Sequence, residues 1–418
     1  MAMTGPARLH RFVLPAILAL AVAAPGARAD QFDAEREQKY EDCMAKAQSV
    51  PADGYETALS WQGQGGGNPA RHCAAVALIG LGKYQEAAGQ LESLAADLAQ
   101  KQPQLAAEAF GQAGQAWTSA NQAAKALGAQ NAGINLAPND VDLLVDRAFT
   151  QRSLNEFAKA LDDLNRVISH VGNTYDPAVT QANAQYMVGL IQRNDFHSEA
   201  DAYSSWDKCA QKGHAGCLNI MANAHITGKG GQSVDIPTAI NMHLTVFHSG
   251  ARFHCAAAYS ARSIARIEHF TGVPAPEGDK LDWLQKAYGL MDKVPVTGQR
   301  NNACDRSSAE VEEFLFRLGR GERRGDLLPD ARSRLDDKST SSRALIDLLS
   351  GKTNKSAFVA AVDSDNSEDR RCSAYFDALW YANLKKNRAD TQDYFERMTK
   401  LGDFYCGSDL VFARKLTM

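Results

Sequence analysis

Residues Leu78 to Ala88 read LIGLGKYQEAA and give the clearest indication of the fold. An apolar run ends there in a Gly-x-Gly turn, and apolar residues then return at helical spacing at Leu91, Leu94 and Ala95. This pattern is typical of a helix that ends, a tight turn, and a second helix that folds back on the first. The stretch therefore predicts a helical hairpin.

The same scheme returns at a nearly fixed distance along the chain. The small residues Ala75, Gly114 and Ala148 are 39 and 34 residues apart, and an apolar helical pattern follows each of them. Small residues at such positions let the two helices of a pair approach closely, and Pro138 closes the middle unit, since proline stops a helix. Residues such as Gln130 interrupt the apolar pattern of that middle unit. A repeated hairpin predicts an all-α array.

These residues resemble the tetratricopeptide repeat, which has a period of 34 and a signature of small, aromatic, alanine and proline positions. The ranges 67–100 and 139–172 match well, and the resemblance covers residues 34–172. It implies a right-handed helical-hairpin solenoid in which the first helix of each pair lines a concave face. We assign residues 30–172 to repeats of this kind.

A different pattern follows from residue 173. Cys209 and Cys217 flank a Gly-x2-Gly turn, a glycine-rich loop follows at 228–231, and Gly250 repeats Gly213 after 37 residues. This segment resembles the Sel-one-like repeat, a relative of the tetratricopeptide repeat, and in particular its cysteine-rich secreted branch. We assign residues 173–300 to such repeats and residues 301–418 to a C-terminal helical region with a closing repeat. Two polar stretches, 319–338 and 363–371, are predicted to be breaks between its helices.

The N-terminus indicates export. Basic residues precede an apolar run of about 13 residues, Phe12–Ala24, and Ala27-Arg28-Ala29 then gives the small-x-small pattern of a signal-peptidase site. The run is shorter than the roughly 20 residues that a membrane-spanning helix needs. We predict a signal peptide over 1–29, cleavage after Ala29, and a periplasmic or secreted protein without an integral membrane segment.

The cysteines agree with an oxidising compartment. All eight lie beyond the predicted signal peptide, and an even number in an exported chain predicts disulfides. The resemblance and the corner geometry both predict the Cys209–Cys217 bond. Helix-pair geometry favours three further bonds, with their connectivity left open: Cys43–Cys73, Cys255–Cys304 and Cys372–Cys406. No Cys-x-x-Cys pair occurs, so no metal site is predicted.

Known catalytic and ligand-binding motifs are incomplete in this chain. The glycines at 63–67 lack the Lys-Ser/Thr of a phosphate loop, and the acidic run 363–369 lacks the glycine and final glutamate of a calcium loop. His254-Cys255 invites a thiol-nucleophile interpretation, but a cysteine here is expected to be bridged. Paired carboxylates such as Asp162-Asp163 and Glu312-Glu313 are interpreted as solvated faces, and the ten histidines as surface or groove residues. No enzyme activity and no cofactor are predicted.

The net charge of −4, with both signs interspersed, argues against a nucleic-acid partner. We expect a scaffold that binds a protein or peptide in the groove of its repeats. An envelope-associated hydrolase and a structural subunit of a cell-envelope complex are the alternatives, and the oligomeric state is left open. The repeat register implies that the groove is lined by a set of six residues, with the aromatic Phe149 beside Arg152 as the strongest anchor: Glu108, Gln115, Asp142, Val145, Phe149 and Arg152.

Overall fold

A computed structural model describes residues 27–170, 176–249, 254–291, 306–322, 326–335 and 339–418. The chain divides into two compact units, which meet in the sequence between His197 and Ser198. The predicted boundaries at 172 and 300 fall in segments outside the described residues, so they stay predictions. Most of the predicted signal peptide lies outside them as well.

The described part of the N-terminal unit consists of nine helices: α1 Ala27–Ser49, α2 Pro51–Gly63, α3 Gly67–Gly80, α4 Tyr84–Leu98, α5 Pro103–Ser119, α6 Ala123–Leu136, α7 Val141–Ser153, α8 Phe157–Ser169 and α9 Pro177–Asn194. Each helix packs against the next, and the odd-numbered helices α1 and α3, and α5 and α7, also pack against one another. This is the predicted order of stacked hairpins. We call the layer formed by α1, α3, α5, α7 and α9 the first-helix layer.

In three of these hairpins the same turn geometry joins the first helix to the second. The residue two positions before the second helix has a left-handed backbone, with φ of 73° at Gly82, 57° at Asn121 and 60° at Asn155. Glycine and asparagine are the residues that adopt this conformation most readily. The turns recur at the spacing of the small residues, so the period read from the sequence is a period of the backbone.

The weakest predicted repeat has a structural explanation. A Cβ atom at Gly114 would lie 2.7 Å from Cγ of Gln130, and the Gln130 side chain is buried. The middle unit therefore exchanges an apolar residue for a longer polar one and leaves space for it with a glycine. Hairpin packing is retained although the signature is not.

The described part of the C-terminal unit consists of twelve helices: α10 Glu199–Ala210, α11 Ala215–Thr227, α12 Ile236–His248, α13 His254–Thr271, α14 Lys280–Met291, α15 Arg306–Gly319, α16 Leu327–Ser333, α17 Thr340–Leu349, α18 Lys355–Asp363, α19 Glu368–Leu384, α20 Arg388–Leu401 and α21 Asp403–Thr417. Its core contains the buried rings of Trp206, Trp283 and Trp380. The polar stretch 319–338, predicted to be a break, contains α16. The described residues form no strand, so the all-α prediction is confirmed for them. The handedness of the array stays a prediction.

Three predicted disulfides are present as bonded pairs, with Cα–Cα distances of 6.2 Å for Cys43–Cys73, 6.0 Å for Cys209–Cys217 and 5.4 Å for Cys372–Cys406. The bonds join α1 to α3, α10 to α11, and α19 to α21. Cys255 is also disulfide-bonded. Its predicted partner, Cys304, lies outside the described residues.

Candidate functional site

A chain of hydrogen bonds crosses the first-helix layer of the N-terminal unit. The hydroxyl of Tyr40 on α1 lies 2.7 Å from Nδ1 of His72 on α3, and Nε2 of the same ring lies 2.7 Å from Oε1 of Gln112 on α5. Because the amide oxygen only accepts, Nε2 donates to it and Nδ1 accepts from the tyrosine. Burial lowers the pKa of His72, which keeps the imidazole neutral as this arrangement requires. We call these three hydrogen-bonded side chains the polar floor.

Carboxylates without a cation lie beside this floor. Burial raises the pKa of Glu108 on α5, and the nearby charge of Asp140 raises it further. Burial also raises the pKa of Asp140, which caps α7, with the charge of Asp142 as a smaller contribution. Among the described residues, Glu108 has no salt-bridge partner. Burial, and then the charge of Glu108, raise the pKa of Tyr40 to about 12.

The predicted site residues differ in how much of each side chain is exposed to solvent. Phe149 is 42% exposed, and Val145 is half-buried. Asp142 and Gln115 are exposed, and Nε2 of Gln115 donates to Asp146 of α7 at 2.7 Å. This bond places Gln115 between two helices of the first-helix layer.

Arg152 makes a structural contact in this unit. Its Nε lies 2.6 Å from Oδ2 of Asp195, the first residue after α9, and both side chains are largely buried. The guanidinium thus joins α7 to the end of α9. Phe149 retains its exposed ring, so the two residues predicted as one anchor have separate environments.

The sequence patterns did not predict Tyr40, Gln112 or Asp146 as residues of the site. Gln112 lies one helical turn after Glu108, and that spacing could have indicated a shared face. Tyr40 precedes the first repeat and carries no register signal. The Cys43–Cys73 bond joins α1, which carries Tyr40, to α3, which carries His72.

Several carboxylates predicted to be solvated are buried, so that interpretation was wrong. Asp163 forms a two-bonded ion pair with Arg147, with both nitrogen–oxygen distances at 2.7 Å. In the C-terminal unit Glu313 accepts hydrogen bonds from Tyr288 at 2.8 Å and from Arg317 at 2.7 Å. Each of these contacts links different helices or successive turns, so the carboxylates serve packing rather than solubility.

Two other polar residues are buried, one in the predicted break 363–371 and one among the histidines predicted to be surface or groove residues. Asp365, in that break, accepts from the Ser341 hydroxyl at 2.8 Å and from Arg370 Nη2 at 2.6 Å. His243 has no exposed surface, and its Nδ1 lies 3.0 Å from Oδ1 of Asn219. Burial lowers the pKa of His243 to about 3, so its ring is neutral at neutral pH.

A second concentration of charge lies inside the C-terminal unit, where Arg262 and Arg266 of α13 meet three carboxylates. Arg262 Nη2 lies 2.6 Å from Oε1 of Glu312 on α15. Arg266 Nη2 lies 2.6 Å from Oδ1 of Asp409 on α21, and its Nη1 lies 3.8 Å from Glu312. The third carboxyl, Asp377 of α19, is buried beside them and has no ion pair of this kind among the described residues. We call these five residues the buried charge cluster.

The pH dependence of stability should reveal Asp377. Burial raises its pKa to about 8, and the charges of Glu312 and Asp409 raise it while those of Arg266 and Arg262 lower it. The folded chain therefore holds this proton while the unfolded chain, with an ordinary pKa of 3.8, has lost it. Stability contributed at low pH is lost as the pH rises between these two values.

Asp377→Asn should remove this loss of stability with rising pH. The free energy of unfolding of the variant, relative to the natural chain, should rise with pH by up to about 1.4 kcal/mol per unit within this window. Urea unfolding at pH 4.5, 6.0 and 7.5 measures it. A difference that does not change with pH would show that Asp377 ionises normally.

Three potential metal ligands lie together in the described part of the chain, namely Cys209, His214 and Cys217. The two sulfurs are bonded to each other, and Nδ1 of His214 accepts the backbone N–H of Cys217 at 3.2 Å. Burial lowers the pKa of His214. This group closes a corner between α10 and α11.

None of the described helices combines the length and the apolar composition that a membrane span requires.

The hairpin order and the recurring turn define the class of protein as an all-α helical-repeat protein. No protein-family model matches the chain, and no curated protein matches it. Solved structures similar to it include the apo form of RapI, with 11% identity over 88% of this chain and 97% of that chain and a TM-score of 0.47. A Sel1 repeat protein from Oxalobacter formigenes has 16% identity over 51% and 98% and a TM-score of 0.31. A tetratricopeptide repeat protein from Parabacteroides merdae has 14% identity over 75% and 98% and a TM-score of 0.34.

Proposed function

We propose that the chain is an exported, non-catalytic scaffold, and that the first-helix layer of its N-terminal unit binds a basic segment of a protein partner. The observation that carries the proposal is the pair of half-buried carboxylates, Glu108 and Asp140, whose raised pKa values reflect burial without a described cation. A lysine or arginine of a partner would supply that cation. The disulfides and the signal-like N-terminus support export, because such bonds persist in oxidising compartments.

The surroundings of these carboxylates suit a peptide rather than a reaction. The floor of Tyr40, His72 and Gln112 is held by its own hydrogen bonds, and its imidazole is neutral with both nitrogens engaged. The exposed ring of Phe149, on the helix that Asp140 caps, supplies apolar contact area, as aromatic side chains do in interface hot spots. A hydrogen-bonded polar floor, a carboxylate without an ion-pair partner among the described residues and an exposed aromatic ring favour recognition of a segment that carries both a cation and an apolar residue.

Selection of binders from a displayed library of random peptides tests this proposal. The full chain is expected to enrich sequences that contain lysine or arginine next to an apolar residue. Glu108→Gln should weaken the selected peptides about 10-fold, the equivalent of about 1.4 kcal/mol. Added salt should weaken them as well, since exposed charges are screened.

Glu86→Gln is the matched control, because Glu86 is an exposed carboxylate on α4, the second helix of its hairpin, and its ion-pair partner in the described part of the chain is Lys83. It should leave binding unchanged. Enrichment of acidic or uncharged peptides, or equal losses in the two variants, would rule out the proposed surface.

A further inference from the structure

The C-terminal helix α21 packs across several other helices of the C-terminal unit. It lies against α11, α19 and α20, and its side chains also reach α13. Leu410, Phe412 and Ala413 are buried by these contacts. The side of α11 and α13 that faces α21 therefore accepts an amphipathic helix.

Two contacts of α21 with α13 pair side chain with side chain, and a third is the hydrogen bond that Lys415 Nζ donates to the backbone carbonyl of Phe270 at 3.0 Å. Asp409 reaches Nη2 of Arg266 at 2.6 Å, and the ring of Phe412 stacks on Phe270 with centroids 5.0 Å apart. Residues three apart lie on the same side of a helix, so one face presents both groups. The recognition pattern is a carboxylate followed three residues later by an aromatic ring.

The contact with Arg266 is incomplete. Among the described residues its Nε is buried without a hydrogen-bond partner, although a guanidinium can bind a carboxylate through two parallel nitrogens. Asp409 uses one of them. A glutamate, longer by one methylene, has the reach to engage both.

The backbone separates this segment from its covalent anchor. Cys406 is bonded to Cys372 of α19, and the next residue, Gly407, interrupts the helix with φ of 47° and ψ of −125°. Residues 408–418 follow that break. Release of these residues from α13 would leave the disulfide intact.

We propose that the surface of α11 and α13 covered by residues 408–418 is a docking site for an amphipathic helix of a partner that carries Glu-x-x-Phe, and that the chain's own segment occupies it in the absence of that partner. This surface belongs to the C-terminal unit. The proposal goes beyond the basic-segment scaffold and does not depend on it.

Fluorescence anisotropy with a labelled peptide tests the site. The probe has the sequence of residues 408–418 with Asp409→Glu, and the receptor is the full chain with Phe412→Ala, which weakens its own segment. Binding to this receptor is expected to be at least 10-fold tighter than to the natural chain. Arg266→Lys in the receptor should reduce it about 10-fold, because lysine cannot make two parallel bonds.

The control probe carries Phe412→Ala and Asp409→Ala and should not bind. Absence of binding to the Phe412→Ala receptor, or equal binding after Arg266→Lys, would overturn the proposal. The mass of the natural chain, measured by size exclusion, tests whether residues 408–418 dock on a second copy instead. A dimer that Phe412→Ala abolishes would assign the surface to a second copy and overturn the partner assignment.

Hydrogen exchange of the natural chain keeps the test valid if a variant does not fold. Amides of residues 408–417 are expected to exchange faster than those of α19 and α20, and faster again with excess probe. Equal protection of the three helices, unchanged by the probe, would show that α21 is a fixed part of the core.

Discussion

Glu312→Ala is expected to destabilise the C-terminal unit by about 3–5 kcal/mol, the usual cost of breaking a buried ion pair from one side. The Glu312 side chain is 1% exposed and lies 2.6 Å from Arg262 and 3.8 Å from Arg266. Its removal leaves Arg262 and Arg266 with Asp409 as the ion-pair partner among the described residues, and it also removes one of the charges that raise the pKa of Asp377. The loss arises from uncompensated buried charge rather than from lost volume.

Urea unfolding followed by tryptophan fluorescence measures this loss, since three tryptophans report on the C-terminal unit. Glu86→Ala is the control. Its pair with Lys83 is more than half exposed on both sides, so the change should cost about 0.5 kcal/mol or less. A loss below 1 kcal/mol for Glu312→Ala would mean that water already solvates the buried charge cluster.

Trp380→Ala is the second large effect, with an expected loss of about 3–5 kcal/mol. The indole is 1% exposed and contacts the rings of Phe270, Phe316 and His269 at centroid distances of 4.9–5.0 Å. These rings belong to α13 and α15, so the substitution opens a cavity where α19 meets both helices. Aromatic pairs add about 0.5–1.5 kcal/mol each beyond the buried area.

Thermal and urea unfolding of this variant, followed by circular dichroism, give the loss. Val234→Ala, at a side chain 64% exposed, should stay within about 0.5 kcal/mol of the natural chain. Similar losses in the two variants would mean that Trp380 does not hold these helices together.

The sequence predicted the hairpins because their signals are local. Leu78 to Ala88 contains a helix end, the left-handed Gly82 and a new apolar stripe within eleven residues, and the spacing of small residues repeats the unit. The Cys209–Cys217 bond was equally accessible, since a corner of eight residues fixes its geometry. Features of this length need no knowledge of the rest of the fold.

The burial of charged residues could not be predicted in this way. Glu312 and Glu313 form an acidic dipeptide whose partner Arg262 is 50 residues away, and Arg266 meets Asp409 across 143 residues. Nothing near Glu312 in the sequence indicates a cation, so a solvated helix face was the natural interpretation. A separation of 32 residues from His72 likewise hid Tyr40, which joins the candidate site from a helix before the first repeat.

Position-specific photocrosslinking in the cells that produce the chain tests whether a partner binds the first-helix layer of the N-terminal unit. A benzophenone amino acid replaces Phe149 or Gln115 in two variants and Leu81, an exposed turn residue, in a third. We expect one adduct of defined mass at Phe149 and Gln115, absent at Leu81 and lost when Glu108→Gln is added. Equal adducts at all three positions, or adducts that Glu108→Gln does not change, would contradict the claim.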